Sequence, residues 1–128
     1  MTSLNHRHPT QPPAFYEMVS QQVQAALAED IGSGDLTASL VPPEQEVCAS
    51  IIVRESAIIC GLEWLNACFK QVDANVEINW HVTEGERVQA NQLLCEIKGL
   101  ARSLLTSERC ALNFVQTLSA TATETRKY

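Results

Sequence analysis

Arg109 is the side chain in this sequence best suited to recognise an anion. It lies four residues after Leu105 and three before Leu112, so helical spacing places all three on one face. That face is otherwise apolar, and a charge there needs a partner, because an unpaired buried charge is expensive. A guanidinium matches a carboxylate or phosphate through a planar two-point contact. The spacing leaves three readings open: an anion contact, an internal pair with Glu108 or another acid, and a side chain that reaches out to water. Arg102, earlier on the same helix, either extends an anion site or is a solvated first-turn charge. Glu29, Asp30 and Asp35 surround Gly32 and Gly34. Their spacing matches no EF-hand loop, and helix-end and turn chemistry accounts for them, with Asp35 or Thr37 bonding local backbone. The glycines form neither GxGxxG nor a P-loop, so no nucleotide cradle is indicated. His81 falls on the polar phase of a strand, a surface position. No nucleophile with an adjacent base can be named.

The five cysteines, Cys48, Cys60, Cys68, Cys95 and Cys110, contain no CxxC pair, which argues against a zinc ribbon or a redox motif. Their apolar surroundings predict five buried, reduced thiols. His6 and His8 form an HxH on a proline-rich tail and read as solvated. The formal charge of −6 argues against nucleic-acid or anionic-membrane binding, which needs a basic face. No apolar run approaches the length of a membrane span and no leader is recognisable, so a cytoplasmic chain is expected. With 128 residues, the chain is long enough to bury a core without disulfide or metal staples.

The elements that must position these groups can be read from periodicity. Residues 1–13 are polar and proline-rich, a flexible arm. Phe15, Met18, Val19, Val23, Ala26 and Leu27 recur at helical spacing over 14–29, and Gly32 is placed to stop that helix. Val47, Ala49, Ile51 and Val53 alternate as a strand. A short apolar run, Ala57 to Cys60, precedes a helical stretch over 61–72. Val76, Ile78, Trp80 and Val82 alternate again, then Glu84-Gly85-Glu86 turns the chain toward Val88 and a strand at Leu93 to Ile97. Trp64 and Trp80 read as packing residues. After Gly99 a long helix runs to the last residue. This order predicts an α+β fold, a mixed or antiparallel sheet with helices on one face. A chain that stops inside a helix suggests that more should follow.

Residues 29–37, Glu-Asp-Ile-Gly-Ser-Gly-Asp-Leu-Thr, and 104–113, Leu-Leu-Thr-Ser-Glu-Arg-Cys-Ala-Leu-Asn, together resemble two motifs of the quinolinate phosphoribosyltransferase family. Arg54-Glu55, Cys60-Gly61, Val82-Thr-Glu-Gly-Glu-Arg-Val88, Leu93 to Gly99 and Asn113 to Ser119 match in type and order between and after them. The resemblance covers about residues 15–128. It implies an α/β hammerhead-type N-terminal domain over 14–100, with 101–128 starting the helix that leads to a C-terminal α/β barrel lacking here. It further implies an enzyme that converts quinolinate and phosphoribosyl pyrophosphate, with Mg²⁺, to nicotinate mononucleotide, pyrophosphate and CO₂ in NAD biosynthesis.

Under that resemblance, Arg109 is lent across a homodimer interface to the neighbour's quinolinate, and Glu108 orients it. The remaining substrate and metal contacts fall in the barrel, so no turnover and no bound Mg²⁺ are expected of this chain alone. Residues 124–128, Glu-Thr-Arg-Lys-Tyr, look like the family's catalytic signature but sit too close to Asn113, so Arg126 and Lys127 receive no catalytic role. Ala120 stands where the family often has glycine. Two non-catalytic alternatives stay open. One is a biotinyl- or lipoyl-like carrier module, for which Lys70, Lys98 and Lys127 are poorly placed. The other is a dimerisation domain built on the last helix, whose uncovered apolar face would favour self-association.

Overall fold

The computed structural model describes residues 11–34 and 40–126. Residues 1–10 of the arm, with His6 and His8, lie outside them, as do Asp35, Thr37 and Lys127, while Pro13, expected to end the arm, already begins the first helix. The described chain runs α1 (Pro13–Gly34), β1 (Glu46–Ile52), β2 (Ala57–Ile58), α2 (Leu62–Val72), β3 (Glu77–Trp80), β4 (Arg87–Val88), β5 (Leu93–Leu100) and α3 (Ala101–Arg126). It is an α+β fold, and its pairing is antiparallel throughout the described residues. One sheet has the order β1-β5-β3 and the other pairs β2 with β4.

β5 is central because it carries both neighbours: Ile97 lies opposite Ala49 of β1 and Ile78 of β3. A register break between Ile51 and Ile52 ends the regular β1 ladder. β3 shows why alternation predicts a half-buried strand: Ile78 and Trp80 are buried while Glu77 and Asn79 face water. The buried Trp80 indole keeps a hydrogen bond to Asn66 Oδ1 at 2.8 Å. The core gathers Val23, Leu65, Cys68 and Phe69 from the helices with Val76, just ahead of β3, and Val88, Cys95 and Ile97 from the sheets.

Each helix is fixed by its own stripe. In α1 the buried residues are Val19, Val23 and Leu27, a narrow i, i+4 line. Phe15 packs edge-on against Trp64, and the Trp64 indole donates to Gln22. Met18, expected in the stripe, is exposed, because a line this narrow leaves its flanks in solvent. α1 also runs through Gly32 to Gly34 rather than stopping at Gly32. A helical glycine costs about 1 kcal/mol relative to alanine, too little to end a helix alone. In α3 the buried line is Leu104, Ser107, Ala111, Val115 and Ser119.

β2 is only two residues long, and β4 covers one of its edges. α3 covers the other with side chains. Ile58 N–H donates to Thr123 Oγ1 at 2.9 Å, Cys60 N–H donates to Ser119 Oγ at 2.9 Å, and the Ser119 hydroxyl donates back to the Cys60 carbonyl at 3.1 Å. The backbone groups of a short edge are thereby satisfied without a third strand.

Candidate functional site

Three elements hold the region around Arg109. α3 carries the arginine, α1 brings an acid to it, and α2 wedges α3 in place. The Arg109 Nε pairs with Asp30 Oδ1 at 3.0 Å. The arginine side chain is 70% exposed and the aspartate 23%, so a mostly solvated cation is tethered to a half-buried acid. An open depression of about 620 Å³ adjoins the pair, lined by Glu29 and Asp30 of α1 and by Arg109, Leu112, Asn113 and Gln116 of α3.

This corrects the expected surroundings of Arg109. Leu105 is 41% exposed, so the Leu105–Arg109–Leu112 face is not the packed one. The core line of α3 runs through Leu104, Ser107 and Ala111, which turns Arg109 toward solvent. The acid that meets Arg109 is Asp30, 79 positions earlier, and not the adjacent Glu108, which is exposed. Consecutive helical residues diverge by about 100° around the axis, so Glu108 and Arg109 do not face each other. Arg102 is not brought to Arg109 either. Seven residues separate them, about 10 Å along a helix. The Arg102 Nε donates to the Val41 carbonyl, fastening the segment ahead of β1 to the start of α3.

The motif over 82–88 is absorbed by structure. Both Glu84 oxygens accept from Gly61 N–H, at 3.2 and 3.1 Å, and Oε1 also accepts from Leu62 N–H at 3.1 Å. A carboxylate thus caps α2 from outside the helix, where unsatisfied N–H groups and the helix dipole favour it. Glu86 accepts from Thr83 N–H and closes its own turn, while Ile59 N–H donates to Glu86 O and Gly85 N–H to Ile59 O. Neither described lysine sits at a hairpin tip. Lys70 lies in the last turn of α2, bonded to the carbonyls of Ala74 and Val76, and Lys98 lies within β5. His81 pairs with Glu96 at 3.0 Å on the exposed side.

All five cysteines are free, but only Cys68, Cys95 and Cys110 are buried; Cys60 is half-buried and Cys48 exposed, correcting the expectation of five buried thiols. β1 shows its outer face to solvent at every second residue, and Cys48 is on that face. Cys68 donates to Cys110 across the α2–α3 contact, with the sulfurs 3.6 Å apart. Burial pushes both thiols up. For Cys110 the Asp30 charge adds to burial, while the bond received from Cys68 partly offsets it. Among the described residues, no group of three or more His, Cys, Asp or Glu side chains could hold a metal ion.

Residues 35–119 match the family described as quinolinate phosphoribosyl transferase, N-terminal domain. The chain belongs to the quinolinate phosphoribosyltransferase family. It is 32% identical over 120 residues to a Nicotiana glauca protein named quinolinate phosphoribosyltransferase [decarboxylating] 2, mitochondrial, covering 91% of this chain and 34% of that protein. It is 36% identical over 99 residues to a probable nicotinate-nucleotide pyrophosphorylase [carboxylating] of Bacillus subtilis, covering 77% and 34%. A solved nicotinate-nucleotide pyrophosphorylase from Francisella tularensis superposes with a TM-score of 0.84 at 40% identity, covering 94% of this chain and 42% of that one. The chain spans about a third of the length of the curated relatives it matches. Within this quinolinate phosphoribosyltransferase N-terminal region, three contacts escaped sequence reasoning: the Asp30 partner, the Glu84 cap and the Ser119 brace. Each joins residues more than 20 positions apart, and neither periodicity nor local spacing signals such a pairing.

Proposed function

We propose that this chain is the N-terminal region of an enzyme that joins quinolinate to the phosphoribosyl group of phosphoribosyl pyrophosphate, yielding nicotinate mononucleotide, pyrophosphate and CO₂ for NAD synthesis. The chain's share of that work is to present Arg109 to a quinolinate carboxylate held by a neighbouring copy in a homodimer. The single observation that carries this reading is the exposed guanidinium on α3, paired on its Nε edge and directed away from the core. Quinolinate is a planar dicarboxylate, and a guanidinium is the side chain whose fork matches such a group. Domain boundaries near 14, 100 and 101 belong to the same reading: a sheet-and-helix body, then α3 as the lead into further chain. Mg²⁺ belongs to the further chain. Five free thiols suit a reducing compartment such as the cytoplasm.

Two measurements test it. The 128-residue chain alone should form no nicotinate mononucleotide, and measurable turnover would refute that part. In the complete enzyme, Arg109→Ala should raise the quinolinate KM about 10- to 100-fold, the loss of one charge-assisted two-point contact. The KM for phosphoribosyl pyrophosphate should stay unchanged. An unaltered quinolinate KM would sink the assignment of Arg109.

A further inference from the structure

Arginine carries about 2 kcal/mol of rotamer entropy, so an exposed guanidinium is a poor recogniser unless something holds it. Here the holder is Asp30. Its carboxylate takes the Nε–H at 3.0 Å. Among the described residues, no other hydrogen bond or ion pair of Arg109 is present. A guanidinium has two edges that grip a carboxylate, the Nε side and the terminal Nη pair. Occupying the first fixes the plane and leaves the second for a ligand.

The adjoining depression decides which way that second edge works. Its charged lining is Glu29 and Asp30 against Arg109, two carboxylates against one guanidinium. A dicarboxylate is repelled from a pocket of that balance, so the recognising edge must act outward, across an interface rather than into this chain's own surface.

We infer that Asp30 is a positioning residue: it locks the Nε edge of Arg109 so that the Nη pair meets a carboxylate of the neighbour's substrate in one preset plane. This rests on the reading of Arg109 given above. Asp30 suits the task because α1 anchors it through Leu27 and Val23, one and two turns earlier, both buried. Its reach is therefore set by helix packing and not by a loop.

The test is a double-mutant cycle in the complete enzyme with Asp30→Asn, Asp30→Glu, Arg109→Lys and the Asp30→Asn/Arg109→Lys pair. Lysine has no Nε edge to lock, so it keeps the charge and removes the arrangement. Asp30→Asn should raise the quinolinate KM about three- to tenfold, the range of a partly exposed charge-assisted contact. It should leave the KM for phosphoribosyl pyrophosphate and kcat within about twofold, and Asp30→Glu should recover most of the loss. In the Arg109→Lys background, Asp30→Asn should add nothing. The inference is overturned if Asp30→Asn leaves the quinolinate KM unchanged, or if its effect is as large beside Arg109→Lys. A quinolinate KM insensitive to Arg109→Ala topples the parent reading instead. An Arg109→Ala defect without an Asp30→Asn defect topples only this one.

Discussion

Gly61 joins β2 to α2 at a φ of 100°, where an L side chain is strained, and it lies against α3. A Cβ placed there would meet Leu118 Cδ1 at 3.1 Å, Val115 Cα at 3.4 Å and the Phe114 carbonyl at 3.5 Å. Gly61→Ala therefore acts on the join that holds α3 to the rest of the fold. The backbone strain is about 1–2 kcal/mol. The contact adds about 1 kcal/mol: Leu118 Cδ1 can swing aside, but the backbone of α3 cannot. Reduced freedom of the unfolded chain returns about 0.4–1 kcal/mol. The net loss is about 2 kcal/mol. Unfolding entropy near 2.1 cal/mol/K per residue makes about 0.25 kcal/mol/K for this chain, so Tm should fall by about 8 °C. Thermal and urea unfolding followed by circular dichroism measure it. Leu118→Ala destabilises on its own, but combined with Gly61→Ala it should show a favourable coupling of about 1 kcal/mol, because the flexible half of the clash is gone. A Gly61→Ala chain melting within about 2 °C of the parent would refute both the strain and the packing argument.

The remaining predictions concern acid stability and thiols. The Ser103 hydroxyl donates to Asp73 Oδ2 at 2.7 Å, and this bond leads the causes that hold the Asp73 carboxyl below its ordinary value of 3.8, ahead of the Asn75 N–H. A depressed carboxyl stabilises the fold above its unfolded pKa and loses that contribution as pH falls through the folded one. Urea midpoints of the parent and of Ser103→Ala should thus differ at neutral pH and converge as pH drops from about 5 to below 3.8; a gap that widens in acid would contradict the bond's role. Burial first, then the hydrogen bond and charge of Glu84, push the Cys60 thiol up to about 12, and burial followed by the Glu96 charge does the same for Cys95. At pH 8 such groups are about one part in ten thousand thiolate, so the native chain should alkylate at exposed Cys48 first, with Cys60, Cys68, Cys95 and Cys110 following only on unfolding. Mass spectrometry of the labelled sites would contradict this if Cys95 reacted alongside Cys48.

Much of the fold was legible because its elements are locally self-consistent. Val76, Ile78 and Trp80 alternate and are buried, and the apolar run to Cys60 gives a short strand followed by a helix. The register of β5 between β1 and β3 was not legible, because alternation marks a face and names no partner. The candidate site was half legible. Arg109 stands out by type, but the phase of α3 was misjudged. Leu104 and Leu105 are adjacent, both fit an apolar stripe, and only packing against α2 decides which is inside. Cys48 misled for a similar reason: one face of β1 has no layer above it among the described elements, so an apolar neighbourhood in sequence is not one in space.

Two stretches that match the family, 82–88 and the one that holds Arg109, do different physical jobs. The stretch 82–88 spends its carboxylates on backbone N–H groups, Glu84 on α2 and Glu86 on its own turn. Substituting either one would disturb the fold first and chemistry only through it. Arg109 has no such structural debt. Its tie to Asp30 is exposed enough that water screens it, and surface pairs of that kind contribute about 0–1 kcal/mol to stability. An arginine that stabilises so little, yet meets an acid on another helix, costs the fold little to change, so Arg109 variants should report on binding before they report on stability. The acidic balance of −6 strengthens the point. This surface does not attract anions as a field, so any anion it helps to bind must be met by one directed cation.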